Sequence, residues 1–466
     1  MEGSKMSNWE ETLEYIPDGV QTLSKMPSKH VDGVYPKYID RAKGAYIWCG
    51  DKKYIDYPLG LGPIVLGHAN EHVNRAIIDQ LQDGIVYSLP NKKETELAKK
   101  ICDIIPSAEM VRFVKTGSEA TSAAIKAARA YTEREKVLCC GYHGWHDWFS
   151  IVNDKKDGVP KCLESLISKF KYNDIEDLNR QMGTKDSCDI AAVIMEPYIL
   201  EEPNKGFLED VRRICTSHGA VLIFDEVVTA FRTKKWSAQA YYGVTPDMTT
   251  IGKAMGNGMP IGCVCGKKDI METLQRDCFV SSTFGGELAS ISAAIATIEY
   301  IESHNVIDHI WKMGERLKSM FATITDGMGI SDEVKIIGLP PRTYFVFPTI
   351  AHKALFWQEC LERGVLLGYA QFISYKHDLN VIDETIRAMR GAMKIVRKYW
   401  DKPEDALKGR VPEETFRLPE MKKNEVNADK LEGLAKSKIV EKPESKNTKN
   451  TVSTNGGRPI KIPAKL

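Results

Sequence analysis

From about residue 70 to 300, short apolar runs alternate with longer helical stretches, and this alternation limits the fold more than any other feature of the chain. The runs lie at 110–115, 136–140, 190–195, 220–225, 248–251 and 261–265. They are apolar nearly throughout rather than at every second residue, the mark of strands buried on both faces. Helical stretches such as 118–132 and 207–218 separate most of them. The pattern predicts an α/β fold with a mostly parallel central sheet wrapped by helices.

The flanks differ. Residues 7–26 are expected to be helical, closing at IPDG. KGAYIWCGDKKYIDYP, 43–58, alternates about Gly50-Asp51 and reads as a hairpin. A helix at 305–322, strands at 334–338 and 343–347, and helices at 351–363 and 382–399 suggest a smaller α+β domain that includes the N-terminal hairpin. The expected division is 1–65, 66–305, 306–405 and a polar tail over 406–466. Residues 420–466 are rich in Lys, Glu, Asn, Ser and Pro, too polar to offset their ordering entropy by burial.

Net charge is +1, which argues against nucleic acid or an acidic surface as partner. No apolar run approaches the roughly 20 residues of a membrane span. The opening MEGSKMSNWEETLEYI has no secretory apolar core. Eleven scattered cysteines without a CxxC pair read as reduced thiols, so a cytoplasmic enzyme is expected.

Five segments bear chemistry. AVLIFDEVVTAFR, 220–232, delivers Asp225 to the end of a strand, the edge where α/β sheets bind ligands. TTIGKAMGNGMPIG, 249–262, places Lys253 just past a strand among glycines, where a partly desolvated amine becomes a nucleophile for carbonyls. VRFVKTGSEATSAAIKAARAY, 111–131, runs a strand into Gly117 and Ser118 at a helix start, an anion site. CCGYHGWHDW, 139–148, offers aromatics that can stack on a ring. SSTFGGELAS, 281–290, sets hydroxyls beside paired glycines. Each alone has a plainer reading: a strand-end cap, a surface lysine, an ordinary helix cap, a packed aromatic loop, a turn. Together they supply a carbonyl-trapping lysine, a carboxylate, a phosphate cradle and a ring stack, the requirements of pyridoxal phosphate chemistry.

In order and spacing the segments resemble the class III (fold type I) aminotransferases, the glutamate-1-semialdehyde aminomutase group in particular. The similarity runs from about residue 10 to 400 and includes IPDGVQTLSK, LGPIVLGHA, TGSEATSAAIKAARAYT, GYHGWHD, IMEP, FDEVVTAFR, GKAMGNGMPIG and STFGG. The resemblance implies that Lys253 forms a Schiff base with pyridoxal phosphate and later shuttles the proton. It implies that Asp225 pairs with the pyridine nitrogen, that Gly117 and Ser118 bind phosphate, and that Tyr142 and Val227 cover the ring faces. Glu196 is placed near the ring hydroxyl. Thr283 is implied to reach the phosphate of a neighbouring subunit, hence a homodimer acting on a small amino donor and a carbonyl acceptor.

Two places depart from that group. SKMPSKHVDG, 24–33, has Lys29 and His30 where an arginine is expected to grip a substrate carboxylate. Glu287 follows the Gly-Gly pair where many relatives have asparagine, and a carboxylate there is expected to repel an acidic substrate. Both leave open a polar or sugar-like acceptor. Other signals resolve into the fold. GNGMPIG has the wrong spacing for a dinucleotide loop, and GCVCGKK is one residue short of a P-loop. His68 and His72 lack the HExxH glutamate. His143 and His146 belong to the aromatic loop, and Cys263 and Cys265 read as core thiols. Three functions remain: an intermolecular aminotransferase, an intramolecular aminomutase, and a non-catalytic binding protein, the last opposed by intact Lys253 and Asp225.

Overall fold

The computed structural model describes residues 8–183 and 189–413. Among them the strands are β1 (Arg41–Lys43), β2 (Tyr46–Cys49), β3 (Lys52–Asp56), β4 (Met110–Val114), β5 (Lys136–Cys140), β6 (Ile167–Lys169), β7 (Ile190–Met195), β8 (Val221–Asp225), β9 (Met248–Ile251), β10 (Gly262–Gly266), β11 (Lys335–Ile337), β12 (Arg342–Val346), β13 (Val365–Leu366) and β14 (Gln371–Phe372). They form a central sheet in the order β4-β10-β9-β8-β7-β5-β6 and two smaller sheets, β1-β2-β3-β13 and β11-β12-β14.

In the central sheet β6, β5, β7, β8 and β9 run parallel, as their apolar runs require. All of β7 and β8 is buried. β10 is reversed against both β9 and β4. The reason is chain length: only residues 252–261 separate β9 from β10, and a parallel return needs a crossover of about a dozen residues or more. β6 was not legible as a strand, because two of its three residues are exposed.

The helix Gly117–Thr132 packs on this sheet through Ala120, Ala123, Ala124, Ala127 and Ala128, a stripe spaced three and four apart. Small side chains there bring the helix close to the sheet. Its start is locked by a capping box between Thr116 and Glu119.

Of the helix expected over 7–26, only Asn8–Tyr15 is α-helical. Pro17 supplies no N–H, and Asp18 and Gly19 turn to φ 58° and 68°, so the segment continues as short 3-10 turns. The hairpin forms as expected, β2 and β3 joined through Gly50-Asp51, and β3 then pairs in parallel with β13. Helices Ile350–Glu362 and Leu379–Lys398 lie within one or two residues of their expected ends at all but one terminus. Of the stretch expected as a tail, residues 406–413 pack against the body. Gln358 Nε2 donates to the Ala406 carbonyl at 2.9 Å, and the Glu413 N–H donates to the Ser28 carbonyl at 2.8 Å. Residues 414–466 lie outside the described residues.

Candidate active site

β8 ends on Asp225 and β9 ends two residues before Lys253, and Asp225 lies opposite Thr250 in the parallel register. Both site residues therefore stand at the carboxyl edge of one sheet. The Asp225 carboxylate is buried at 4% exposure and held from both sides. Its Oδ1 accepts from the Val227 N–H at 3.1 Å and the Thr250 hydroxyl at 3.2 Å. Its Oδ2 faces His143 Nδ1 at 2.8 Å. The His143 Nε2 is buried with no hydrogen-bond partner.

His143 is thus more than a member of the aromatic loop. It is buried among Trp148 and Phe149, at ring separations of 6.2 and 5.2 Å, and it orients Asp225. The pairing joins the end of β5 to the end of β8 across β7, and nothing in the local sequence announces it. Thr121 Oγ1 donates to the His143 carbonyl at 2.8 Å, tying the loop to the helix Gly117–Thr132. The Tyr142 ring remains partly exposed, at 38%.

Val227 is where three segments meet. A Cβ on Gly117 would lie 3.0 Å from Val227 Cγ1, and one on Gly252 would lie 3.6 Å from the same methyl. The helix start, the turn after β8 and the turn before Lys253 are thereby drawn to one point. Lys253 itself takes φ 41°, a left-handed conformation that costs on the order of 1–3 kcal/mol in a non-glycine residue and concentrates at functional sites. Ser118 Oγ accepts from the Trp145 N–H at 3.3 Å.

Glu196 closes the other side. Its Oε1 accepts from the Tyr142 N–H at 2.9 Å, and its Oε2 stands 3.7 Å from Arg342 Nη1. Arg342, at the start of β12, was missed by sequence reasoning because it lies in a segment with no motif. Thr283 is not brought to this cluster. It is exposed, in a stretch flanked by exposed Phe279 and Phe284.

The two departures from the resembling group take a structural form. Lys29 is buried, and its Nζ donates to Glu413 Oε2 at 3.1 Å. Glu287 does not stand as a bare charge. It caps the helix Leu288–Ser303 and bonds Lys115 Nζ at 2.9 Å. Burial would raise its pKa, but the hydrogen bonds from Ser290 and Lys115 outweigh burial and lower it.

The residues fit a phosphorylated pyridine cofactor. The buried Asp225 can face a ring nitrogen, and the glycine contacts around Val227 leave a cradle that added Cβ atoms would crowd. The N–H groups of the first helical turn, after Thr116 and Glu119 have capped each other, are donors of the kind that can hold a phosphate.

Comparison with known proteins agrees. The chain matches the family "Aminotransferase class-III" over residues 28–396. It is 37% identical over 421 residues to a glutamate-1-semialdehyde 2,1-aminomutase of Methanothrix thermoacetophila, covering 83% of this chain and 96% of that protein. It is 34% identical over 410 residues to a 3-aminobutyryl-CoA aminotransferase of Cloacimonas acidaminovorans, covering 84% of this chain and 97% of that one. Its fold superimposes on the FumI protein of Sphingopyxis sp. MTA144, solved in its PLP internal aldimine form, with a TM-score of 0.79 at 26% identity over 87% of this chain and 97% of that one. With match and geometry in agreement, the chain belongs to the class-III aminotransferases, enzymes that work with pyridoxal phosphate.

Proposed function

We propose that the protein moves an amino group from a small amino donor to a separate carbonyl acceptor in two half-reactions, with Lys253 holding the cofactor and moving the proton. The observation that carries this is the meeting of three segments around Val227, which sets the helix start at Gly117 and the turn before Lys253 beside the buried Asp225. Bound pyridoxal phosphate supplies an electron sink for charge developing at the amine-bearing carbon of the donor.

The chain's own residues do the rest. Lys253 Nζ takes the proton from that carbon. The Asp225 carboxylate, oriented by His143, faces a positive ring nitrogen. The N–H groups of Gly117 and Ser118, with the Ser118 hydroxyl, hold phosphate. Tyr142 and Val227 enclose the ring, and Glu196 steadies the Tyr142 backbone on the side of the ring hydroxyl. Thr283 reaches the phosphate of a second subunit in a homodimer, a reading supported by the apolar Phe279 and Phe284 exposed on either side of it. The described cysteines are all free, which supports a cytoplasmic location.

An intramolecular aminomutase is the second reading, favoured by the 37% identity to the Methanothrix aminomutase. The test is the visible spectrum of the purified holoenzyme as amino donors are added singly. Loss of the band with one donor, and its return with a keto or aldehyde acceptor, supports transfer between substrates. A band that no separate donor alters supports the aminomutase. No band in wild type with added cofactor, or an unchanged band in Lys253→Ala, refutes the role of Lys253.

A further inference from the structure

Two buried guanidinium groups, one of them facing Glu196, carry more donors than the protein satisfies. Arg232 is 3% exposed; its Nη2 donates to the Gly62 carbonyl, while its Nε and Nη1 have no hydrogen-bond partner. Arg342 is 8% exposed, and its Nε and Nη1 likewise have none. The two are close enough to repel each other, while the Arg342 guanidinium carbon stands 5.3 Å from the Tyr344 ring centroid. Phe372 lies opposite Arg342 in the β12–β14 pairing, and the Arg232 guanidinium carbon stands 4.9 Å from the Phe372 centroid.

Burial, and then repulsion from Arg342, pulls the Arg232 guanidinium down to about 9, still protonated at neutral pH. Glu196 stands against Arg342 alone, with Oε2 at 3.7 Å from Arg342 Nη1, beyond hydrogen-bond range, and with Oε1 given to the Tyr142 N–H. Among the described residues no carboxylate is paired with Arg232, so its buried positive charge is a costly state unless an anion completes it. Guanidinium forks match carboxylates in shape as well as charge.

We propose that Arg232 and Arg342 form an anion subsite that takes the carboxylate of the amino donor or acceptor and selects amino acids over simple amines. The proposal rests on the aminotransferase reading above. It also supplies a carboxylate grip in a chain whose residues 24–33 hold no arginine and whose Lys29 is bonded to Glu413.

The test compares each effective amino acid with the amine that lacks only its carboxyl group, following loss of the visible band in the holoenzyme. Wild type is expected to favour the amino acid by about tenfold or more, and Arg342→Gln and Arg232→Gln to reduce that ratio about tenfold, with the lysine variants between. A wild type that prefers the amine, or variants that melt like wild type and keep its ratio, overturns the subsite. A second measurement needs no turnover and no mutant. Propionate should perturb the band of the wild-type holoenzyme where propionamide does not; equal responses, or none to propionate, overturn the subsite. Failure of every amine and amino acid to alter the band counts against transamination instead, and the propionate result still decides the subsite.

Discussion

The carboxylate of Asp225 meets the imidazole of His143 at 2.8 Å, and both are sealed from water at 4% and 1% exposure. Because Oδ1 is already taken by Val227 and Thr250, His143 is the group that fixes the remaining oxygen.

Asp225→Asn is expected to lower kcat by about 10²–10³-fold, as when a group facing developing charge is removed. His143→Ala deletes a hydrogen bond to a carboxylate worth about 1.5–3 kcal/mol, so cofactor affinity or kcat should fall about 10–100-fold. A cofactor titration by absorbance, with kcat measured beside it, checks both. Wild-type values in His143→Ala would show that the imidazole does not position Asp225.

Gly144 adopts φ +104°, and a Cβ there would lie 2.3 Å from Ser118 Oγ. Gly144→Ala should therefore push Ser118 out of place as well as strain the backbone by about 1–3 kcal/mol. Cofactor affinity is expected to fall at least about tenfold, a change the same titration reads. Unaltered affinity would mean that Ser118 does not hold the phosphate.

Glu287 joins a helix cap to a half-buried lysine, since its carboxylate accepts from the Ala289 N–H at 2.6 Å and from Lys115 Nζ at 2.9 Å. Glu287→Gln should destabilise the protein by about 1–2 kcal/mol at neutral pH. The folded pKa is lowered, so the stabilisation is complete above the ordinary glutamate value and is lost as pH falls through the folded one. Melting temperatures of both proteins across that acid range should converge; a gap that stays constant would show that the ionised carboxylate is not the source.

Glu226, next to Asp225, points into the core instead of the site. It is fully buried and accepts from Ala238 N–H at 2.6 Å, Gln239 N–H at 3.0 Å, Gln239 Nε2 at 3.0 Å and Thr229 Oγ1 at 2.8 Å. Glu226→Ala leaves those donors unpaired and should cost about 3 kcal/mol or more. Chemical denaturation measures it, and a loss under about 1 kcal/mol would show that the turn after β8 does not depend on this carboxylate.

The strands β5, β7 and β9 match their expected bounds residue for residue, and β4, β8 and β10 lie within one residue of theirs. An apolar run bounded by polar turns is a local property, and the same local reading placed Asp225 and Lys253 at strand ends. Gly117 was legible for a similar reason, since a strand, a Thr-Gly-Ser-Glu cap and an alanine-rich stripe follow one another within a few residues.

What the sequence determined by itself was therefore the elements, their mostly parallel arrangement and the residues at their edges, because backbone periodicity and capping act over a few positions. Tertiary structure alone decided that His143 orients Asp225, that Lys115 neutralises Glu287 and that Arg232 lies against Phe372. Those pairs join residues far apart in the chain. Such charge and hydrogen-bond partners carry no periodicity, so they are settled only when the order of strands in the sheets brings them within reach.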